Sequence, residues 1–187
     1  MGEKADLRMR VSWRNLDQDM VFVSPSRSRL HCKSQAVVAV VGMLRLIPEF
    51  GLAVVGQTYI VRPGSYGVIC NRIGAIAAVR TPQGVFLPGG GQESDESAEA
   101  ALIREVTEEC GLAIHITGLV GMADELVYSQ EEQSYFRKRC SFFTAEAQSG
   151  CQLPRGEPDH LLSWLAPKDA ALQLSHESQR WAVRQTL

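Results

Sequence analysis

Residues 87–112, LPGGGQESDESAEAALIREVTEECGL, concentrate the reactive side chains of this sequence. Glu105, Glu108 and Glu109 are spaced i, i+3 and i+4. On a helix, at about 100° per residue, they point in neighbouring directions and share one face. Like charges at that spacing repel, and partial burial makes ionising them costlier still. A counter-cation resolves the conflict, and clustered hard oxygen ligands suit Mg²⁺ or Mn²⁺, with water in the remaining octahedral positions. The run Gly89-Gly90-Gly91 supplies the other half. It lets the backbone turn tightly and approach a ligand, offering N–H groups to phosphate oxygens or a carbonyl to a metal. Glycines and carboxylates together suit a site for a diphosphate and a divalent metal.

Positioning these groups requires a strand that runs into the glycines and then into a helix. SAEAALIREVTEEC predicts a helix over 97–110, with Ser97 as N-cap, acidic residues in the first turn and Gly111 as a left-handed C-cap. Its expected apolar stripe is Leu102, Ile103, Val106 and Cys110, the last buried and inert, which sets Glu109 on the border between core and solvent. Upstream, QTYIVR, SYGVIC, AIAAVR and VFL read as short strands of a meander, separated by turns at 71–74 and TPQG. Downstream, strands are expected at 113–119, 122–129 and 135–146, followed by a Gly/Pro loop at 150–158, a strand LLSWL and helices in PKDAALQL and HESQRWAVRQTL. In the RKR run at 137–139, strand alternation puts Arg137 and Arg139 on one face and Lys138 on the other. A solvated edge is the simpler reading of that run, and a phosphate contact the alternative. Tyr66, Phe86, Tyr128, Tyr135, Phe136 and Trp164 are expected in the core, with Trp181 packing the last helix, while His115, His160 and His176 receive surface or packing roles.

The series Gly90, five residues, Glu96, seven residues, Arg104-Glu105-Val106, one residue, Glu108-Glu109, one residue, Gly111-Leu112 resembles the complete Nudix box. Chance occurrence of its fixed residues in such a chain is on the order of one in a million at a background frequency of roughly 7% each. Asp95 departs from the frequent form, in which glycine precedes the box glutamate; this touches loop geometry and leaves the acids intact. The resemblance implies an α+β fold, a Nudix-like α/β/α sandwich with a mixed β-sheet between helices. It also implies hydrolysis of a diphosphate bond in a nucleoside di- or triphosphate, or in a nucleoside diphosphate linked to another moiety. In that reading Glu105 and Glu109 bind Mg²⁺, with Mn²⁺ as the alternative, Glu108 assists, and the Gly89 carbonyl completes the shell. Arg104 orients the glutamates by charge-assisted hydrogen bonds, and Glu105 steers the attacking water. The family varies in where its general base lies; on a later loop the candidate is Glu157, in RGEPDH, with Glu146 second. Two other classes share the fold. A non-hydrolytic nucleotide-sensing module would be expected to lose box acids, which this chain keeps. An isoprenoid diphosphate isomerase departs from the hydrolytic box and needs its own cysteine and glutamate pair. Loops outside the box select among oxidised nucleoside triphosphates, dinucleoside polyphosphates, ADP-ribose-type sugars and cap-like diphosphates.

Composition bounds the rest. With 187 residues, net charge −2 and 45% hydrophobic residues, the chain can fill one core. A near-neutral balance without a dense basic run argues against a nucleic-acid polymer as partner and leaves a small-molecule nucleotide. Five cysteines without a CxxC pair suggest neither a disulfide framework nor a zinc knuckle, and a reducing cytoplasm fits. Residues 1–35 hold seven Lys/Arg against four Asp/Glu, the remainder twelve against seventeen. The expected division is therefore a flexible or loosely docked segment 1–35 and a Nudix hydrolase domain 36–187, with Met43 as a candidate downstream start. The apolar run 36–56 contains Arg45, Pro48 and Glu49 near its middle, and each central charge costs roughly 2.5 to 3.5 kcal/mol in a bilayer. Two short buried segments are expected there, with neither a transmembrane helix nor a secretory signal. A homodimer is allowed.

Overall fold

The structure, a computed structural model, describes residues 47–152 and 159–187. The segment 1–35, Met43, the first half of the apolar run and Glu157 lie outside the described residues. In chain order the elements are β1 (Glu49–Phe50), β2 (Ile60–Cys70), β3 (Ile76–Thr81), β4 (Gly84–Phe86), β5 (Gly89–Gly91), α1 (Ala98–Cys110), β6 (Leu112–Ser129), β7 (Ser134–Gln152), β8 (Leu161–Leu165), α2 (Pro167–Gln173) and α3 (Glu177–Arg184). The strands form one sheet in the order β1-β6-β7-β2-β3-β4, with β5 paired to β2 and β8 to β3. The pairs β1–β6 and β2–β7 are parallel and the others antiparallel, so the sheet is mixed.

Alternation along the strands supplies two apolar faces, and helices cover both. On one, Leu102, Val106 and Cys110 of α1 pack against Ile69, Ala77, Val79, Phe143 and Ala145. On the other, Ala170 of α2, Leu174, and Ala182 and Val183 of α3 pack against Val68, Ile76 and Phe142. Helix, sheet and helix make the expected α/β/α sandwich. Complete burial of side chains such as Leu102 and Val106 contributes about 1.5 to 3 kcal/mol each and fixes the rotation of α1 about its axis. Ile103 is 47% exposed, because its direction lies off the stripe of Leu102, Val106 and Cys110. Pro167 opens α2, where its missing N–H costs nothing.

Several expectations are corrected. QTYIVR and SYGVIC belong largely to one strand, β2, and 113–119 and 122–129 to one strand, β6, whose register shifts near Ile114, Gly118 and Gly121 absorb the irregular pattern. The glycine run is itself a strand, which pairs Gly89 with Tyr66 and Gly91 with Gly64. Of the apolar run, the described part is not a buried segment: beyond β1, Leu52 and Val55 are more than nine-tenths exposed. The RKR run is no edge, since β7 lies between β6 and β2. Of the aromatics, Phe136 is buried and Trp181 packs on Phe50 and Phe142, but Tyr128 is half exposed. Among the described residues no helix is long and apolar enough to cross a membrane.

Candidate functional site

Both ends of α1 are pinned, which sets the faces its side chains present. The Ser97 hydroxyl accepts from the Ala100 N–H at 3.1 Å, and Gly111, at φ 63°, donates its N–H to the Thr107 carbonyl. With Leu102 and Val106 turned into the core, Glu105 and Glu109, one turn apart, meet β5. The Gly89 N–H donates to Glu109 Oε2 at 2.9 Å, which holds a carboxylate that is only 9% exposed. Gly90 makes room for the other: a Cβ there would stand 2.5 Å from Glu105 Cδ. Gly89 sits at φ +134°, and a Cβ on it would meet the Ser65 carbonyl oxygen at 2.1 Å. The strand next to the carboxylates is therefore made of glycine for both space and backbone conformation.

Arg104 ties the box together. Its Nε and Nη2 donate to the two oxygens of Glu96 at 3.0 Å each, Nη2 also to the Gly91 carbonyl, and Nη1 to Glu105 Oε1 at 2.9 Å and Glu108 Oε2 at 3.2 Å. The bidentate bond from Arg104 holds the Glu96 carboxyl below its usual range, and the carboxylates push the guanidinium higher still. Glu108 is turned outward and is 48% exposed, so the structure brings Glu105 and Glu109, rather than all three glutamates, to the glycine strand.

A cavity of about 240 Å³ opens beside Gly89 and Glu109. His160, given no role from the sequence, reaches it from just before β8, with Nδ1 3.1 Å from Glu109 Oε1. No spacing signal could have found this histidine, since the antiparallel pairing of β8 with β3 delivers it. Tyr66, stacked on Phe142, forms part of the wall; burial above all, then the nearby Cys140, Glu109 and Glu105, pushes its phenol well above the ordinary range. His176 and Phe86, with ring centroids 5.2 Å apart, close another side. Lys138 lines the cavity too. Glu125, its cross-strand partner, instead accepts the Ser178 N–H at 2.7 Å and the Glu177 N–H at 3.3 Å at the start of α3. Burial works to raise the Glu125 carboxyl, but His176 and Ser178 outweigh it and hold it below the usual carboxylate range. Glu146 is not part of this assembly: it is exposed and in register with Cys70, four residues or about 13 Å along β2 from the Tyr66 that pairs with Gly89.

Among the described residues no three Asp, Glu, His or Cys side chains close around a metal by themselves. What the site offers is two hard carboxylates beside a glycine backbone, with the Glu105 carboxylate lying where a Cβ on Gly90 would stand. That donor set fits Mg²⁺, which keeps several waters and takes further oxygens from a phosphate, better than an ion needing an all-protein cage.

Residues 62–186 match the sequence profile described as the NUDIX domain. The fold is similar to that of a MutT protein from Methanosarcina mazei Go1, with TM-score 0.55 and 19% identity over 70% of this chain and 96% of that one. It is similar also to a MutT NUDIX hydrolase from Burkholderia pseudomallei, with TM-score 0.54 and 28% identity over 68% of this chain and 99% of that one. A NUDIX hydrolase from Nitrosomonas europaea shares the fold at TM-score 0.53 and 16% identity, covering 68% of this chain and 88% of that one. No curated protein matches the chain at a significant level. The profile spans most of the chain and contains the pinned helix, its glutamates and the glycine strand, and the chain therefore belongs to the Nudix family, hydrolases of pyrophosphate bonds.

Proposed function

We propose that this protein is a Mg²⁺-dependent diphosphohydrolase of a nucleoside di- or triphosphate or another nucleotide-linked compound. The observation that carries the reading is the seating of Glu105 and Glu109 against Gly89 and Gly90 beside a cavity with aromatic walls. Glu105 and Glu109 would hold the ion with the Gly89 carbonyl, and Glu108 would assist from the rim. When bound, the metal neutralises the diphosphate, polarises a P–O bond and lowers the pKa of a bound water. Arg104 keeps Glu105 in one orientation, so that this carboxylate can take the proton of the water that attacks phosphorus; the anhydride P–O bond breaks and the leaving phosphate departs as an anion. His160, against the Glu109 carboxylate, restricts that ligand in turn. Glu157, three residues before His160, is the candidate for a base on the intervening loop.

A nucleotide-sensing module has less support, because every acid of the box is present and the helix that carries them is capped and packed. We extend the reading to a cytoplasmic protein in which residues 1–35 are an appendage; among the described residues Cys70 and Cys140 are free thiols, as a reducing compartment would have them. The test is a panel of nucleoside triphosphates, dinucleoside polyphosphates, nucleotide sugars and capped dinucleotides with Mg²⁺, with products identified by mass. Two phosphorylated products from one diphosphate bond are expected. No turnover of any of them with Mg²⁺ or Mn²⁺ would overturn the assignment.

A further inference from the structure

The arginines of the RKR run are spoken for. Arg139 donates to both oxygens of Asp124 at 2.9 and 3.0 Å, and Arg137 lies 2.9 Å from Glu49 and 3.5 Å from Asp124. Strand alternation turns Lys138 to the opposite face, and the residue directly across from it on β6 is Glu125. An opposed Lys–Glu pair of this kind would ordinarily neutralise itself. Here the Glu125 carboxylate is drawn away by the backbone N–H groups that begin α3, and among the described residues no carboxylate forms an ion pair with Lys138. The half-buried ammonium instead borders two hollows on either side of Tyr66. One is the 240 Å³ cavity with Gly89 and Glu109, and the other is a hollow of about 180 Å³ lined by Gly64, Gly91 and Arg62. The neighbouring cation is occupied, for Arg62 is bound by both oxygens of Glu132 at 2.5 and 2.8 Å and lies 3.9 Å over the Phe136 ring.

We infer that Lys138 is the residue that grips the substrate's diphosphate, binding the phosphate that lies over Gly91 while the neighbouring phosphate lies toward Glu105 and Glu109. The inference rests on the diphosphate chemistry proposed above and adds to it the side chain that sets affinity. A lysine suits this place, since its compact charge on a flexible stem can follow one phosphate oxygen after another, whereas an arginine would impose a planar fork. An exposed Gly91, with nothing within 4 Å of where its Cβ would stand, leaves room for the anion.

The probe is inorganic pyrophosphate, the part common to all candidate substrates, titrated calorimetrically with Mg²⁺ into the full chain. Lys138→Met should weaken its binding at least tenfold, which is about 1.4 kcal/mol. Lys138→Arg, which keeps the charge but imposes the planar fork, should lose less affinity than Lys138→Met, and Arg137→Met, on the opposite face, should change little. Pyrophosphate binding to Lys138→Met should have a shallower salt dependence than binding to the wild type, which a merely structural role would not produce. If Lys138→Met lowers the melting temperature, Lys138→Gln carries the same test. Pyrophosphate binding that survives in the neutral variants, that falls equally in Arg137→Met, or that is absent from the wild type overturns the inference. Failure of the hydrolytic reading looks different: Lys138-dependent binding of pyrophosphate together with no turnover of any diphosphate.

Discussion

Replacing Gly90 with alanine separates the architecture of the site from the stability of the fold. The backbone at Gly90 has an ordinary φ, so alanine fits there without strain and should leave the unfolding free energy unchanged or slightly raised through the unfolded chain. The new methyl, however, would lie 2.5 Å from both Cδ and Oε2 of Glu105 and 2.8 Å from Oε1. Carbon atoms in contact want about 3.5 Å, so the carboxylate must retreat by about 1 Å, which the end of a flexible side chain can do cheaply. A displacement of that size at a reacting group costs on the order of 10²-fold, or about 2.7 kcal/mol of transition-state stabilisation. Its neighbours are the controls. Gly91→Ala meets open space in the free protein and should melt like the wild type, whereas Gly89→Ala combines φ +134° with a clash against the Ser65 backbone and should unfold at lower temperature. The assay is Mg²⁺-dependent release of phosphorylated product alongside thermal unfolding for all three. A Gly90→Ala protein that melts like the wild type and keeps more than a third of its kcat/KM would refute the assignment of Glu105 to the reaction.

Four further outcomes are expected. Glu109→Gln keeps an oxygen for the Gly89 N–H but removes the charge, so turnover should drop below about a tenth of wild type with the melting temperature nearly unchanged, which paired kinetic and melting measurements check. Chelation of divalent ions should abolish activity with little change in circular dichroism; a chelator-resistant rate would point to another chemistry. Because Glu125 titrates below its unfolded value, its contribution is full above the ordinary carboxylate pKa of about 4.3 and is lost as pH falls through the folded value. Glu125→Gln should therefore cost roughly 1 to 3 kcal/mol at neutral pH and make chemical-denaturation stability less steep in the acid range. Deleting residues 1–35 should leave kcat and metal dependence within about threefold, some 0.65 kcal/mol, in steady-state assays.

The part of the site legible in the sequence is the part held by local rules. Ser97 and Gly111 fix the ends of α1, its apolar stripe fixes the face, and the spacing of Glu105 and Glu109 follows. The alternation of Arg137, Lys138 and Arg139 is likewise local. What was not legible depends on pairing between distant residues. Three glycines give no strand signal of their own, and they become β5 because β2 offers partners at residues 64–66. His160 meets Glu109 only after β8 has docked on β3. The RKR run read as an edge because nothing within it reveals that β2 and β6 enclose it.

The parallel pairing of β2 with β7 also sets a timetable for the nascent chain. Ile60 pairs with Phe136, so the strand is complete long before its partner exists. At roughly 5 to 20 residues per second of synthesis, β2 waits on the order of 4 to 15 seconds with that flank open. Its sequence, IVRPGSYGVIC, suits the wait: Arg62 places a charge, Pro63 removes an N–H and two glycines weaken β propensity, all of which discourage a premature partner. The stretch that later lays out the glycine strand beside the carboxylates is thus poorly suited to pairing with a neighbouring ribosome's product, and closure of the site is deferred until most of the domain has been made.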